Sequence, residues 1–135
     1  MSRSEILASF EKCGIFPTAQ RLEVAAVLLR KPQHMSADQI IGQLRVAGST
    51  VSKATVYNSL KLFGERGLVK ECLVDPERRF YDSKTATHHH FYNADTGELS
   101  DIPSDTVEVI GLPELPQGTE LECAELIVRI RNAAD

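Results

Sequence analysis

The sequence has no long apolar run, and this absence is the first limit on what the chain can be. No segment approaches the roughly 18 consecutive apolar residues that a membrane-spanning helix needs. The N-terminal stretch MSRSEILASF also lacks the apolar core of a secretory signal peptide. The chain has 135 residues, of which 42% are hydrophobic and 25% charged, a composition typical of one globular domain or two very small ones. We therefore expect a cytoplasmic protein with no membrane partner.

Cysteine is scarce and forms no closely spaced pair. Cys13, Cys72 and Cys123 are odd in number and far apart, and none belongs to a Cys-x-x-Cys motif. This pattern excludes a disulfide framework and a zinc knuckle built from thiolates. A metal site in this chain must therefore use other ligands.

Basic residues are scarce in the second part of the chain. The formal charge is -4 overall, but residues 1–82 hold 12 basic and 9 acidic side chains, whereas the remainder holds 3 basic and 10 acidic ones. Three of the four histidines also lie in the acidic part. The asymmetry indicates that the first part meets an anion and the second a cation, although charge alone is equally consistent with chance and solvation.

Helix signals fill the first 67 residues. Capping residues followed by apolar stripes predict four helices, which begin near Ser2, Thr18, Ser36 and Ser52. A residue that stops helices follows each of them in turn, namely Gly14, Pro32, Gly48 and Gly67.

A predicted hairpin follows the fourth helix. Residues 68–74 and 79–82 are typical of strands, and residues 75–77 between them are typical of a turn. Helices followed by a hairpin predict a winged helix-turn-helix, whose fourth helix lies in a major groove while Arg78 and Arg79 on the wing lie near phosphates. The same pattern also suits a structural or protein-docking module.

The polar segment 83–87 predicts a hinge between a first domain, residues 1–82, and a second, residues 88–135. We expect an α+β protein in which an N-terminal winged helix-turn-helix is joined to a small C-terminal α/β dimerisation domain. Residues 126–130 are an apolar strand, and a small domain with an exposed strand edge is expected to form a homodimer by pairing strands.

The second domain opens with three histidines on a predicted strand. Side chains alternate along a strand, so His88 and His90 share a face and His89 lies on the other. If the next strand pairs across a four-residue turn, Asp101 lies opposite His90 with Cβ atoms roughly 5 Å apart. Two imidazoles and a carboxylate suit Fe(II), Mn(II) or Zn(II) better than Cu(I). The alternative is a solvated polar hairpin.

The same ligand types form the facial triad of non-haem iron oxygenases, so a metalloenzyme is a rival function. The sequence shows no evident co-substrate motif or further general base, and 135 residues leave little room for a deep pocket. We therefore do not expect an enzyme.

Five stretches match the motifs of one known family, in the same order and at nearly the same spacing. They are PTAQR (17–21), QHMSADQI (33–40), ATVYNSLKLFGERGLV (54–69), RRFYD (78–82) and HHHFYNADTGELSDI (88–102). The chain thereby resembles the ferric uptake regulator (Fur) superfamily of metal-dependent bacterial repressors. The resemblance implies a dimeric winged-helix regulator that binds double-stranded DNA at an AT-rich palindromic operator.

The resemblance also implies a regulatory metal ion between the two domains. Carried over position by position, its ligands fall on His34, Asp82, His88, His90 and Asp101. A second cation site occurs in some members, and the corresponding residues here are His89, Glu108, Glu122 and Cys123.

Two departures from the family pattern bear on cofactors. Members commonly hold a structural zinc with two Cys-x-x-Cys pairs, but the first pair's positions here are Asn93 and Thr96, so we expect no structural zinc held by four cysteines. Together with the histidine run and the C-terminal LIVRIR, this loss resembles the Irr-like branch, in which the histidine run is associated with a response to haem. A haem- or peroxide-responsive regulator of the same fold is therefore the alternative function.

Most of the DNA-binding positions also follow from the resemblance, whereas Lys61 is predicted from the polar face of the fourth helix and Arg78 and Arg79 from the wing. Family base-reading positions fall on the fourth helix, where Asn58 replaces an arginine of many members, and Arg21 matches a phosphate-contacting arginine. Tyr57 has a second interpretation, which is packing on the neighbouring helix. The predicted DNA-binding residues are Arg21, Lys53, Thr55, Tyr57, Asn58, Lys61, Arg78 and Arg79.

Overall fold

A computed structural model of the chain divides into two compact units, the first spanning Met1–Thr85 and the second beginning at Ala86. The predicted hinge, residues 83–87, includes Thr87, which lies outside the described residues. The structure describes residues 1–75, 78–86, 88–103 and 105–134.

Four helices form most of the first unit, as the capping pattern predicts. Ser2 and Ser36 each form a capping box, with Glu5 and Gln39 as the reciprocal partners. Gly14 ends the first helix with a φ of 69°, a left-handed conformation that glycine adopts without steric cost. Among the described residues, no helix has both the length and the apolar character to cross a membrane. The helices are α1 (Arg3–Cys13), α2 (Ala19–Leu28), α3 (Ala37–Val46) and α4 (Lys53–Glu65).

A three-stranded antiparallel sheet completes the first unit. Its strands are β1 (His34–Ser36), β2 (Lys70–Asp75) and β3 (Arg78–Asp82), in the order β1-β3-β2. The predicted wing is confirmed as β2 and β3, while Pro76 and Glu77 of the predicted turn lie outside the described residues. Strand β1 is not predicted from the sequence, because three residues are too few to display an alternating pattern.

The helices of the first unit enclose one hydrophobic core. Phe10 of α1, Leu28 of α2, Ile40 of α3 and Phe63 of α4 are all fully buried, and the Phe10 and Phe63 ring centroids lie 5.5 Å apart. Burial of one such side chain contributes about 1.5–3 kcal/mol. Helix α4 is therefore fixed to the core along one face, which leaves its opposite face available for contacts.

The second unit is built on a three-stranded sheet with the order β5-β4-β6. Strand β4 (His89–Asn93) pairs antiparallel with β5 (Leu99–Ile102) and parallel with β6 (Ile127–Ile130), so the predicted hairpin and C-terminal strand are confirmed. Within the described part of this unit there is no helix, although an α/β domain is predicted. Pro113 and Pro116, which lack an amide hydrogen, interrupt regular structure between β5 and β6.

Candidate functional site

Two histidines and one aspartate meet on the β4–β5 hairpin of the second unit. Asp101 lies directly opposite His90 in the ladder, the register that the four-residue turn predicts. The Oδ1 atom of Asp101 is 3.4 Å from Nε2 of His90 and 3.2 Å from Nε2 of His88. The structure therefore brings together three of the five predicted metal ligands within one unit.

These distances fit a shared cation. Ligand atoms about 2.1 Å from an ion, with bond angles between tetrahedral and right-angled, lie about 3.0–3.4 Å apart. Both nitrogen-to-oxygen distances to Asp101 fall within that interval, and ligand atoms of the three residues all lie within 4.8 Å of one another. The donor set, nitrogen and oxygen without thiolate, suits Fe(II), Mn(II) or Zn(II).

Each imidazole is held in place by its surroundings. Nδ1 of His88 lies 2.8 Å from the carbonyl oxygen of Ala86. Because a carbonyl only accepts hydrogen bonds, this contact favours the tautomer with hydrogen on Nδ1 and leaves the lone pair on Nε2, the nitrogen beside Asp101. His90 is 1% exposed on the central strand β4, so packing restricts its ring.

The other two predicted ligands lie together in the first unit. His34 of β1 is directly opposite Asp82 of β3, so their side chains share one face of that sheet. Asp82 is 1% exposed, and its Oδ1 accepts a hydrogen bond of 2.8 Å from the Lys84 amide. The His34 ring makes an edge contact with Phe80, with centroids 6.4 Å apart. Strand β1, missed in the sequence, is therefore the element that positions His34.

The structure does not gather the residues of the predicted second cation site. Nδ1 of His89 accepts a hydrogen bond of 2.8 Å from the Leu126 amide, while Glu108, Glu122 and Cys123 lie in the irregular segment between β5 and β6. Among the described residues, none of these four belongs to a group of three or more side chains arranged to hold a metal ion. The second site stays a prediction.

Helix α4 presents a polar face suited to DNA. Lys53, Tyr57 and Lys61 recur every four residues and are exposed, and Asn58 beside them is exposed too. Tyr57 is 47% exposed, which argues against the interpretation that it packs on a neighbouring helix. Thr55 is half-buried, and its hydroxyl accepts a hydrogen bond of 2.9 Å from Ser52 at the start of the helix.

The remaining predicted DNA-binding residues are all arginines. Arg78 and Arg79 are exposed on β3, whereas Nη1 of Arg21 on α2 donates a hydrogen bond of 2.7 Å to the carbonyl oxygen of Phe16. Sequence reasoning missed Glu71 of β2, whose Oε1 lies 2.7 Å from Nε of Arg79. Opposite charges on two strands predicted to pair indicate that an ion pair can form, but without the register they do not single out Glu71.

The family model and the relatives with similar sequences indicate the same protein family. The ferric uptake regulator family model matches residues 12–128. The peroxide-responsive repressor PerR of Staphylococcus epidermidis is 32% identical over 98 residues, which cover 73% of this chain and 65% of that protein. A PerR of Staphylococcus aureus is also 32% identical over 98 residues and is covered to 66%. The chain thus spans slightly less than two thirds of the length of these relatives.

Solved structures share the fold over nearly the whole chain. The ferric uptake regulator of Pseudomonas aeruginosa, solved with manganese, superposes with a TM-score of 0.71 at 27% identity, covering 95% of this chain and 98% of that one. The Vibrio cholerae ferric uptake regulator has a TM-score of 0.75 at 23% identity, with coverage of 93% and 98%. At 23% identity, the likeness to the Vibrio cholerae protein supports the fold alone, and that fold agrees with the α+β architecture described above.

Proposed function

We propose a metal-responsive, DNA-binding transcriptional regulator as the function of this chain, because it belongs to the ferric uptake regulator family. It would act as a homodimeric repressor on an AT-rich palindromic operator in the cytoplasm. The observation that carries the proposal is the hairpin cluster, in which Asp101 Oδ1 lies 3.2 and 3.4 Å from the Nε2 atoms of His88 and His90. This spacing, which the strand register produces, favours a cation site over the alternative of a solvated polar hairpin.

The full ligand set that we propose is His34 and Asp82 from the first unit with His88, His90 and Asp101 from the second. Support comes from the arrangement inside each unit, where the residues already share one sheet face. When bound, Fe²⁺, Mn²⁺ or Zn²⁺ would supply a positive charge that all five side chains share. Because the ligands come from both units, holding the ion in common would restrict how the recognition helix α4 is presented to DNA.

Protein residues perform the rest of the proposed work. The exposed side of α4 would read bases through Tyr57 and Asn58, since bidentate amides and apolar contacts distinguish base pairs in the major groove. Arg21, Arg78 and Arg79 would neutralise phosphates. Metal and DNA then favour the same conformation, and each must strengthen the binding of the other by the same factor.

A direct test compares DNA affinity with and without metal. Couplings of this kind typically change affinity about 5- to 150-fold. We expect Mn²⁺ to tighten binding to a duplex selected by the wild-type chain from a random-sequence pool, and His34→Ala to remove that enhancement while the protein stays folded. Equal affinities in Mn²⁺ and in chelator would contradict the proposal.

Peroxide response is the second candidate function, since two relatives about one third identical are peroxide-responsive repressors. Under this alternative, the same five residues would hold Fe²⁺, which would supply the redox chemistry by which hydrogen peroxide adds one oxygen to a ligand imidazole and leaves as water. Mass spectrometry should then detect the gain of one oxygen at His34 or His88 after exposure to Fe²⁺ and hydrogen peroxide, but not with Mn²⁺. An unmodified protein under both conditions counts against it.

Haem response, the Irr-like branch and the absence of enzymatic activity stay predictions. Soret absorbance on haem addition tests the first of these. Oxygen consumption with Fe²⁺ and a keto acid tests whether the histidine–carboxylate cluster turns over a substrate.

A further inference from the structure

An ion pair joins the two strands of the wing. Nε of Arg79 lies 2.7 Å from Oε1 of Glu71. The strand register sets Glu71 directly opposite Tyr81, and alternation along β3 sets Arg79 on the same face as Tyr81. The acidic side chain of β2 therefore restrains one of the basic side chains assigned to DNA, and it does so within a single unit of the protein.

The geometry of the contact decides which hydrogens of Arg79 are left for a partner. A guanidinium has five N–H donors in a fixed planar fork, of which Nε carries one. Glu71 engages Nε, and the Arg79 side chain also hydrogen-bonds the Tyr81 phenol, so two neighbours on the same face restrain the guanidinium. The Arg79 side chain is 55% exposed, so its remaining donors can reach a phosphate without displacing the bond to Glu71.

The restrained arginine borders a cleft that the recognition helix also borders. The cleft has a volume of about 490 Å³, and its lining includes Tyr57 of α4, Arg79 and Tyr81 of β3, and Ser36 at the start of α3. Burial raises the pKa of the Tyr81 phenol, and the nearby charge of Glu71 raises it further. Tyr81 therefore stays neutral at physiological pH and adds no negative charge that would repel a phosphate.

We propose that Glu71 is a positioning residue of the DNA interface, which holds Arg79 so that it contacts a backbone phosphate when α4 is seated in its preferred sequence. This inference rests on the proposed function. When the protein sits at any other position on DNA, the nearest phosphate has to compete with the Glu71 carboxylate for the same guanidinium. Glu71 thus favours specific over non-specific binding, although its own charge repels DNA.

The experiment measures how well the full-length protein separates two DNA sequences. Binding of the Mn²⁺-loaded protein is titrated with a duplex selected from a random-sequence pool and with a scrambled duplex of equal composition. We expect Glu71→Gln to tighten binding to the scrambled duplex and to lower the ratio of specific to non-specific affinity at least about threefold. One additional phosphate contact per subunit should also increase the salt dependence on scrambled DNA, by about 1.8 in the log–log slope for a dimer.

A double-mutant cycle separates positioning from a general charge effect. Glu65→Gln removes an equal charge from an exposed position on α4 and should not lower the ratio by a comparable factor. In an Arg79→Ala background, Glu71→Gln should leave the ratio unchanged, because the residue it acts through is gone. Persistence of the full effect in that background, or no effect in the wild-type background, overturns the inference.

A measurement without DNA keeps this inference distinct from the proposed function. In ¹H–¹⁵N NMR spectra, the Nε–H resonance of Arg79 should exchange slowly with water in the wild type and faster in Glu71→Ala, because alanine has no side-chain acceptor whereas glutamine keeps one. A rate unaltered by the substitution overturns the restraint itself. Failure of the wild-type protein to bind any duplex overturns the proposed function, whereas wild-type binding with an unaltered ratio in Glu71→Gln overturns the role of Glu71 alone.

Discussion

The hairpin cluster predicts that two neighbouring histidines differ sharply in their effect on metal affinity. His88→Ala should weaken Mn²⁺ binding, because Nε2 of His88 lies 3.2 Å from the Asp101 carboxylate with which it would share the ion. His89→Ala is the matched control: it removes the same side chain one residue away, from the opposite face of β4. Nδ1 of His89 accepts a hydrogen bond from the Leu126 amide instead of facing Asp101.

The size of the effect follows from what is removed. Loss of residues that only support metal ligands costs about 10- to 100-fold in affinity, so removal of a ligand should cost about 100-fold or more, which is about 2.7 kcal/mol or more. Because the His88 side chain is 13% exposed, water can fill part of the space it leaves, and the protein should remain folded. Isothermal titration with Mn²⁺ measures the dissociation constants, and circular dichroism checks the fold.

Three outcomes would refute the reasoning. Equal Mn²⁺ affinity in His88→Ala and the wild type would remove His88 from the ligand set. An equally large loss of affinity in His89→Ala, with the number of bound ions unchanged, would mean that the face assignment does not determine the hairpin site. Weak binding that is the same in all three proteins would leave the hairpin as a solvated polar surface.

Three further predictions concern stability and local order. Phe10→Ala should lower the free energy of unfolding by about 3–5 kcal/mol in urea titrations, because the ring is fully buried against Phe63. Phe16 is 75% exposed, so Phe16→Ala should change the free energy of unfolding by no more than about 0.5 kcal/mol. Burial and then Glu71 raise the pKa of Tyr81 above its ordinary value of 10.0. The resulting stabilisation of the folded state should be complete below about pH 10 and lost as pH rises through the folded-state pKa. Phenolate absorbance, with Tyr81→Phe as the control, measures this ionisation. Titration of Tyr81 at its ordinary pKa would contradict the prediction. Asn132→Ala removes a 2.9 Å hydrogen bond to the Asn93 side chain. Because such a bond contributes about 1 kcal/mol, the backbone amides of β6 should exchange with water about fivefold faster. Unaltered exchange would show that this bond does not hold the strand.

Much of the hairpin site is predictable from the sequence because local rules determine it. Alternation along the extended chain places His88, directly before β4, on the same face as His90, and the length of the following turn sets the register that brings Asp101 opposite His90. These constraints act over fewer than about 15 residues of chain and need no knowledge of tertiary packing. The capping residues of α1 and α3 are predictable for the same reason.

Features that depend on distant pairing or on an irregular strand register are not predictable in this way. Strand β1 exists because His34 and its neighbours pair with β3, nearly fifty residues later, and its three residues carry no periodic signal. The contact between Glu71 and Arg79 depends on the register of β2 against β3, which shifts between Leu73 and Asp75. Charge and spacing alone therefore do not identify Glu71 as the partner of Arg79.

Strand β3 connects the two proposed roles of the first unit. Alternation sets Arg79 and Tyr81 on the face with Glu71, and Phe80 and Asp82 on the other face, where Asp82 lies opposite His34. A slip of one residue would exchange these faces, moving a carboxylate into the hydrophobic core where Tyr81 now packs, so burial strongly specifies the register. The same burial that stabilises the sheet therefore keeps a candidate phosphate contact and a candidate metal ligand three residues apart on opposite sides of one strand.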